Sequence, residues 1–230
     1  MAKTQKHLPN RQSRVVWKFR VYDAIIYETT RDDKLFAMSL GEWFEIAQDH
    51  VAEVNRALAQ IPDHETLVLD DARQGEPEGA YNERTANNSG GHLALLDARL
   101  VRYGGGRSSI EICDLLAADR NFIHIKAKTK SSTLSHLFAQ GLNSAQAFRD
   151  TRFRELASAI CPESHRFVFD DEPRISDYTV TYAIITHAAG ELRDALPFFS
   201  KQSLANAARE LSNMGYQVRL KKIMIDAGVG

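Results

Sequence analysis

Residues 108–140, SSIEICDLLAADRNFIHIKAKTKSSTLSHLFAQ, restrict the fold more than any other stretch of this chain. Two apolar runs, SSIEICDLL and FIHIKAK, flank a short AADRN turn, and their composition predicts a pair of neighbouring strands. A helix follows, with Ser131 or Ser132 placed to cap it and Leu134, Leu137, Phe138, Ala145 and Phe148 on one stripe. Successive strand side chains point to opposite faces, so Ile123 and Ile125 are expected in a core and His124 and Lys126 out in a cleft. Asp114, ending the first strand, is expected within reach of both, and Gln140 sits on the helix. Glu111 should face away from Asp114 unless a bulge re-aims it.

Read as chemistry, Asp114 offers an oxygen ligand for Mg²⁺ and Lys126 a positive charge near an attacking water or a developing phosphorane. His124 is a poor ligand for Mg²⁺, but it suits Mn²⁺ or other transition metals, or a general base near neutral pH. Glu111 and Glu83 (in YNER) are further candidate metal ligands. Lys128, Lys130, Ser131 and Ser132 cluster at a helix start, where lysines and free amides suit phosphate contacts, and Arg107 lies in the glycine-rich turn nearby. Asp-x9-His-x-Lys taken alone is common in unrelated strands. Glu111 and Asp114 pairing with Arg99 or Arg107, and Gln140 as a surface residue, is the bland alternative.

Context gives the triplet weight. The order helix, strand, strand, strand, helix, strand resembles the αβββαβ core of restriction-endonuclease-like, PD-(D/E)XK nucleases, an α/β (mixed α+β) class with helices on the faces of a mixed sheet. In that core the second strand normally carries an acid two residues before the lysine; here His124 holds the position. Gln140 resembles the glutamine of a QxxxY-type motif, although Ser144 stands where the tyrosine would be.

The rest of the chain is expected to divide into a flexible basic tail (1–14), an N-terminal β/α subdomain (15–75) and the nuclease-like core (76–230). The subdomain reads as a strand over Val15–Thr29, two more across KLFAMSL and EWFEIA turned near Gly41, and a helix over DHVAEVNRALAQI stopped by Pro62. Residues 70–91 read as loop with one helical turn around Tyr81–Ala86. HLALLDARLVRY, HRFVFD, YTVTYAIIT and QVRLKKIMI read as strands, with a helix capped by Ser200 and ended by Gly215 before the last. A net charge of −1 gives no global attraction to nucleic acid, so binding needs a local basic surface. The two cysteines form no C-x-x-C, and no segment reaches the ~20 apolar residues of a membrane span. A reduced, cytoplasmic protein is expected.

The blocks YNE, LLD, IEICDLL, FIHIK, SSTLSHLFAQG, FR and LPFFSK, spread over Tyr81–Ile225 with GEWFEI upstream, resemble a sporadically distributed bacterial family of unknown function. Its members are often found near restriction and phage-defence genes. They are usually longer, with a substantial N-terminal region, so a truncated, split or naturally short member is expected here. Together these readings predict a divergent metal-dependent nuclease of defence type, using Mg²⁺ or Mn²⁺ on DNA or RNA, as a homodimer or with other defence subunits. The alternative is a nuclease-fold binding or scaffold protein without catalysis.

Overall fold

The computed structural model describes residues 27–103, 109–128, 131–170 and 172–226, apart from the side chains of Ser131 and Ser132. The expected basic tail, the strand before Tyr27 and the turn carrying Arg107 lie outside the described residues, as does Lys130. The chain divides into two compact units, up to Glu53 and from Val54 onwards.

The first unit carries an antiparallel sheet of β1 (Tyr27–Arg31), β2 (Lys34–Ser39) and β3 (Glu42–Ile46). Leu40 and Gly41 both have positive φ, 52° and 78°, the handedness a two-residue hairpin turn demands. Ala37 and Met38 on β2 are buried. Helix α1 (Gln48–Ala59) begins in this unit and ends in the next, ahead of Pro62.

The second unit is mixed α/β. Its elements after α1 are β4 (Ala72–Arg73), α2 (Glu78–Asn88), β5 (Leu93–Leu95), β6 (Leu100–Arg102), β7 (Ser109–Glu111), β8 (Leu115–Ala117), β9 (Asn121–Ala127), α3 (Ser131–Phe148), α4 (Thr151–Ile160), β10 (Thr179–Thr186), α5 (Leu192–Ala195), α6 (Phe198–Asn213) and β11 (Gln217–Asp226). The main sheet runs β4-β11-β10-β9-β8-β5. Strands β9, β10, β11 and β4 are parallel, while β8 is antiparallel to both of its neighbours. Parallel neighbours need long crossovers, and α3–α4 and α5–α6 supply them. β6 and β7 form a separate ribbon.

Both faces of β9 are covered. On one, Ile123 and Ile125 join Leu115, Ala183, Ile185 and Ile223 against Tyr81 of α2. On the other, Phe122 meets Phe148 of α3 and Tyr182 meets Phe138, ring centroids 5.0 and 5.1 Å apart. The helix expected after the lysine strand is α3, with its predicted stripe buried.

Besides α2, which is a full helix over Glu78–Asn88 where one turn around Tyr81–Ala86 is expected, four local readings change. HLALLDARLVRY is two strands, broken where Ala98 adopts a positive φ of 59°. SSIEICDLL is also two, because the chain leaves the β6–β7 ribbon after Glu111 and enters the main sheet at Leu115. Asp114 therefore precedes β8 rather than ending a strand. HRFVFD is a 3-10 turn: it starts straight after Pro162, and His165 N donates to Pro162 O. Helix α6 starts after Pro197, which leaves Ser200 inside the helix rather than at its cap.

Candidate metal centre

Three carboxylates meet where β5, β7 and β8 approach the end of β9. Asp97 lies in the turn after β5, which is pinned when Leu96 N and Asp97 N both donate to Asp114 O at 2.9 and 3.0 Å. Asp114 is tied to β9 twice over. Its backbone N donates to Ile123 O at 3.0 Å, and its Oδ2 accepts from Ile125 N at 2.6 Å. That side-chain bond occupies the strand amide between His124 and Lys126, so the carboxylate lies alongside the lysine. Glu111, last residue of β7, accepts from Ala98 N at 2.7 Å through Oε1 and from Gln140 Nε2 at 2.6 Å through Oε2. One oxygen from each of Asp97, Glu111 and Asp114 falls within 4.8 Å of the others, a set that could hold a metal ion.

The electrostatics follow from crowding negative charge in a half-dry place. Burial pushes the Asp114 carboxyl up to about 7, the Ile125 amide opposes the shift, and the charges of Glu111, Asp97 and Glu78 add to it. Lys126 Nζ lies 2.7 Å from Glu78 Oε2 at the start of α2. That bond raises the Lys126 ammonium above its usual range against the opposing effect of burial, with the charges of Asp114 and Asp97 also favouring the cation. Asn82, one turn further along α2, donates Nδ2 to Asp97 Oδ2 at 3.1 Å. Oxygen-only donors of this kind suit hard divalent cations.

Of the residues singled out in the sequence, Asp114, Glu111, Lys126 and Gln140 are brought together here. His124 is not. It is fully buried under α3, with Nε2 3.4 Å from Ser144 Oγ, its ring 6.1 Å from that of Tyr182 and Nδ1 without a partner among the described residues. Burial lowers its pKa to about 3, so the imidazole is neutral. The expected open cleft on the His124 face is filled because α3 packs there, whereas Lys126, next to the strand's end, reaches out to Glu78. Glu83 is exposed on α2 and stands outside the carboxylate group. Arg99, read as a partner for the acids, instead donates Nη1 to Ile160 O at 2.6 Å. Lys128 extends the sheet through its N–H to Ile185 O at 2.8 Å. The side chains of Lys130, Ser131, Ser132 and Arg107 lie outside the described residues. A separate cavity of about 540 Å³, lined in part by His64, Thr85, His92 and Asp119, contains none of the carboxylates.

Two members of the group, Asp97 and Glu78, are absent from the sequence reading. Asp97 lies inside HLALLDARLVRY, whose pattern predicts one continuous strand. Glu78 had a signal. Proline is favoured at the very start of helices, and a helix beginning after Pro77 with Tyr81 in the core puts Glu78, Asn82 and Thr85 along one face.

A family model described as a family of unknown function (DUF6119) matches residues 3–224. The chain belongs to DUF6119. The match spans the whole carboxylate group and both helices that brace it. Neither the curated proteins nor the solved structures contain a match. Among the described residues of this DUF6119 member, no helix is long and apolar enough to cross a membrane.

Proposed function

We propose that the chain is a divergent metal-dependent nuclease that hydrolyses phosphodiester bonds, DNA before RNA, in defence against phage or other foreign DNA. The observation that carries this reading is the convergence of Asp97, Glu111 and Asp114, from three separate segments, beside the Lys126 ammonium. Element order supports it too: α2, β5, β8, β9, α3 and β10 follow one another as in a restriction-endonuclease-like core, with the β6–β7 ribbon inserted. The family resemblance and its defence-gene neighbourhood supply the biological setting.

In this reading Asp97, Glu111 and Asp114 hold Mg²⁺ or Mn²⁺. Such an ion polarises a phosphodiester and acidifies bound water. Lys126, kept protonated by Glu78, places positive charge where negative charge develops on the phosphoryl oxygens. Gln140 and the Ala98 amide fix both oxygens of Glu111. Asp97 takes over the ligand role that an acid in the position of His124 would have played, and His124 becomes a core residue. Lys128, Lys130, Ser131, Ser132 and Arg107 are assigned to the nucleic-acid backbone.

The test is a cleavage assay of wild type and Lys126→Ala on single- and double-stranded DNA and RNA, with Mg²⁺, Mn²⁺ or EDTA. Metal-dependent cutting that drops about 10²–10³-fold in a folded Lys126→Ala is the expected result. Undiminished cutting by that variant removes the mechanism. The buried His124 in the usual acid position favours a second reading, a binding or scaffold protein that has lost catalysis. Salt-sensitive nucleic-acid binding with no turnover under any divalent ion would select it.

A further inference from the structure

Asn82 is 1% exposed, and the two ends of its amide fare differently. Nδ2 donates to Asp97 Oδ2 at 3.1 Å, while Oδ1, buried as deeply, has no donor among the described residues. The orientation is imposed by Asp97. A carboxylate only accepts, so it selects the NH₂ end and leaves the carbonyl without a partner. Asp97 is also packed closely against the first turn of α2, where a Cβ on Gly79 would lie 3.4 Å from Asp97 Oδ2. Buried carbonyls without donors are rare enough in folded proteins to require a cause. This one belongs to the side chain that orients a member of the carboxylate group.

We propose that Asn82 is the outer partner of the metal centre: Nδ2 fixes Asp97, and Oδ1 accepts a hydrogen bond from water carried in on a hard divalent cation. The inference rests on the reading that the three carboxylates hold such an ion. Mg²⁺, and by similarity Mn²⁺, keeps several waters when bound by carboxylates. The carbonyl end of the amide that holds Asp97 is then offered to one of those waters, which favours a hydrated cation. Partners of this type, which touch the ligands rather than the ion, commonly change metal affinity 10–100-fold.

The experiment is a calorimetric titration of Mn²⁺ into the full chain, with thermal unfolding measured with and without Mn²⁺. Asn82→Leu is expected to weaken Mn²⁺ binding 10–100-fold without lowering the metal-free Tm. Asn82→Asp keeps an acceptor oxygen but sets a carboxylate against Asp97. It is expected to retain Mn²⁺ affinity, to lower the metal-free Tm and to enlarge the Mn²⁺-induced rise. Equal affinity in wild type and Asn82→Leu overturns the role of Asn82 and leaves the carboxylate centre standing. A lowered metal-free Tm with unchanged Mn²⁺ affinity marks a purely structural residue and overturns it as well. Should Asn82→Leu fail to fold, a tenfold or greater loss of Mn²⁺ affinity in Asn82→Asp does the same. A wild type that binds no Mn²⁺ removes the centre itself.

Discussion

Two places along β9 hold titratable groups that burial treats in opposite ways. On the side of the carboxylates, Asp114 keeps a short bond to the Ile125 amide, and its neighbours Glu111, Asp97 and Glu78 are all negative. Under α3, His124 has a serine hydroxyl at 3.4 Å, an aromatic ring and no charged partner among the described residues. Desolvation disfavours the charged form in both cases, so the acid is pushed up and the base is pushed down. The difference lies in what can relieve each. A cation would restore the charge of Asp114, whereas His124 has a dry pocket that rewards neutrality at every pH above its own pKa. A site for a charged ligand and a piece of core can therefore stand a few residues apart on one strand.

The largest expected effect follows from these opposite shifts. Asp114, raised from 3.8 to about 7, contributes stability that is complete below pH 3.8 and lost as pH rises through 7. His124, lowered from 6.5 to about 3, contributes stability that is complete above pH 6.5 and lost as pH falls through 3. Each shift corresponds to roughly 4–5 kcal/mol in full, or about 1.4 kcal/mol per pH unit where one group dominates. Between pH 4 and 6.5 the two slopes oppose each other in the wild type. Asp114→Asn keeps the acceptor for Ile125 N–H and should unmask His124, giving a protein more easily unfolded by acid. His124→Leu should unmask Asp114, giving one that weakens as pH rises. Urea unfolding across this range in EDTA measures both. Variants that both track the wild-type pH profile would mean the carboxylate end of β9 and the His124 pocket are not distinct environments.

A smaller effect concerns how the dry side sets the geometry of the wet one. Gly141 lets α3 sit on β10: a Cβ there would lie 2.6 Å from Tyr182 Cε1, and the Tyr182 hydroxyl donates to Phe138 O at 2.9 Å. Alanine would gain about 1 kcal/mol in helix propensity, but forcing α3 off Tyr182 should reverse the sign. A net loss of about 1–3 kcal/mol in Gly141→Ala is expected from overpacking. Gln140, the preceding residue, should lose its bond to Glu111 as well, so Mn²⁺ affinity should fall along with stability. A stabilised Gly141→Ala with intact Mn²⁺ binding would show that contact to be slack.

Period-two and period-3.6 patterns exposed β9, α3, β10, α6 and β11, because each is long enough for its alternation or stripe to be read. They also exposed Asp114, Lys126 and Gln140, which lie on or beside those elements. What stayed hidden depends on short pieces. β5, β6, β7 and β8 have three residues each, too few to show a break, so the turn that aims Asp97 was invisible inside LLDARL. The environment of His124 is hidden as well. Alternation places it opposite Ile123, but only the packing of α3 decides that both faces are interior. Helix α2 was underread because its polar surface hides its length: Glu78, Asn82 and Thr85 face inward among residues that look like a loop.

The polar face of α2 carries the smallest effect to measure. Glu83 was the carboxylate expected to join the site from this helix, and Glu78 is the one that reaches Lys126, at 2.7 Å. Both partners of the Glu78–Lys126 pair are about one-third exposed, so the pair contributes at most about 1 kcal/mol, and less at high salt. Glu83 is exposed, and Glu83→Gln should change stability by less than about 0.5 kcal/mol. Glu78→Gln should cost more than Glu83→Gln at low ionic strength and converge on it as salt is added. The Lys126→Ala background should abolish the difference, since Glu78 then has no ammonium to hold. Urea unfolding of the two single variants and their Lys126→Ala doubles, at two salt concentrations, reads all of this. Equal losses for Glu78→Gln and Glu83→Gln would place the wrong face of α2 against the centre.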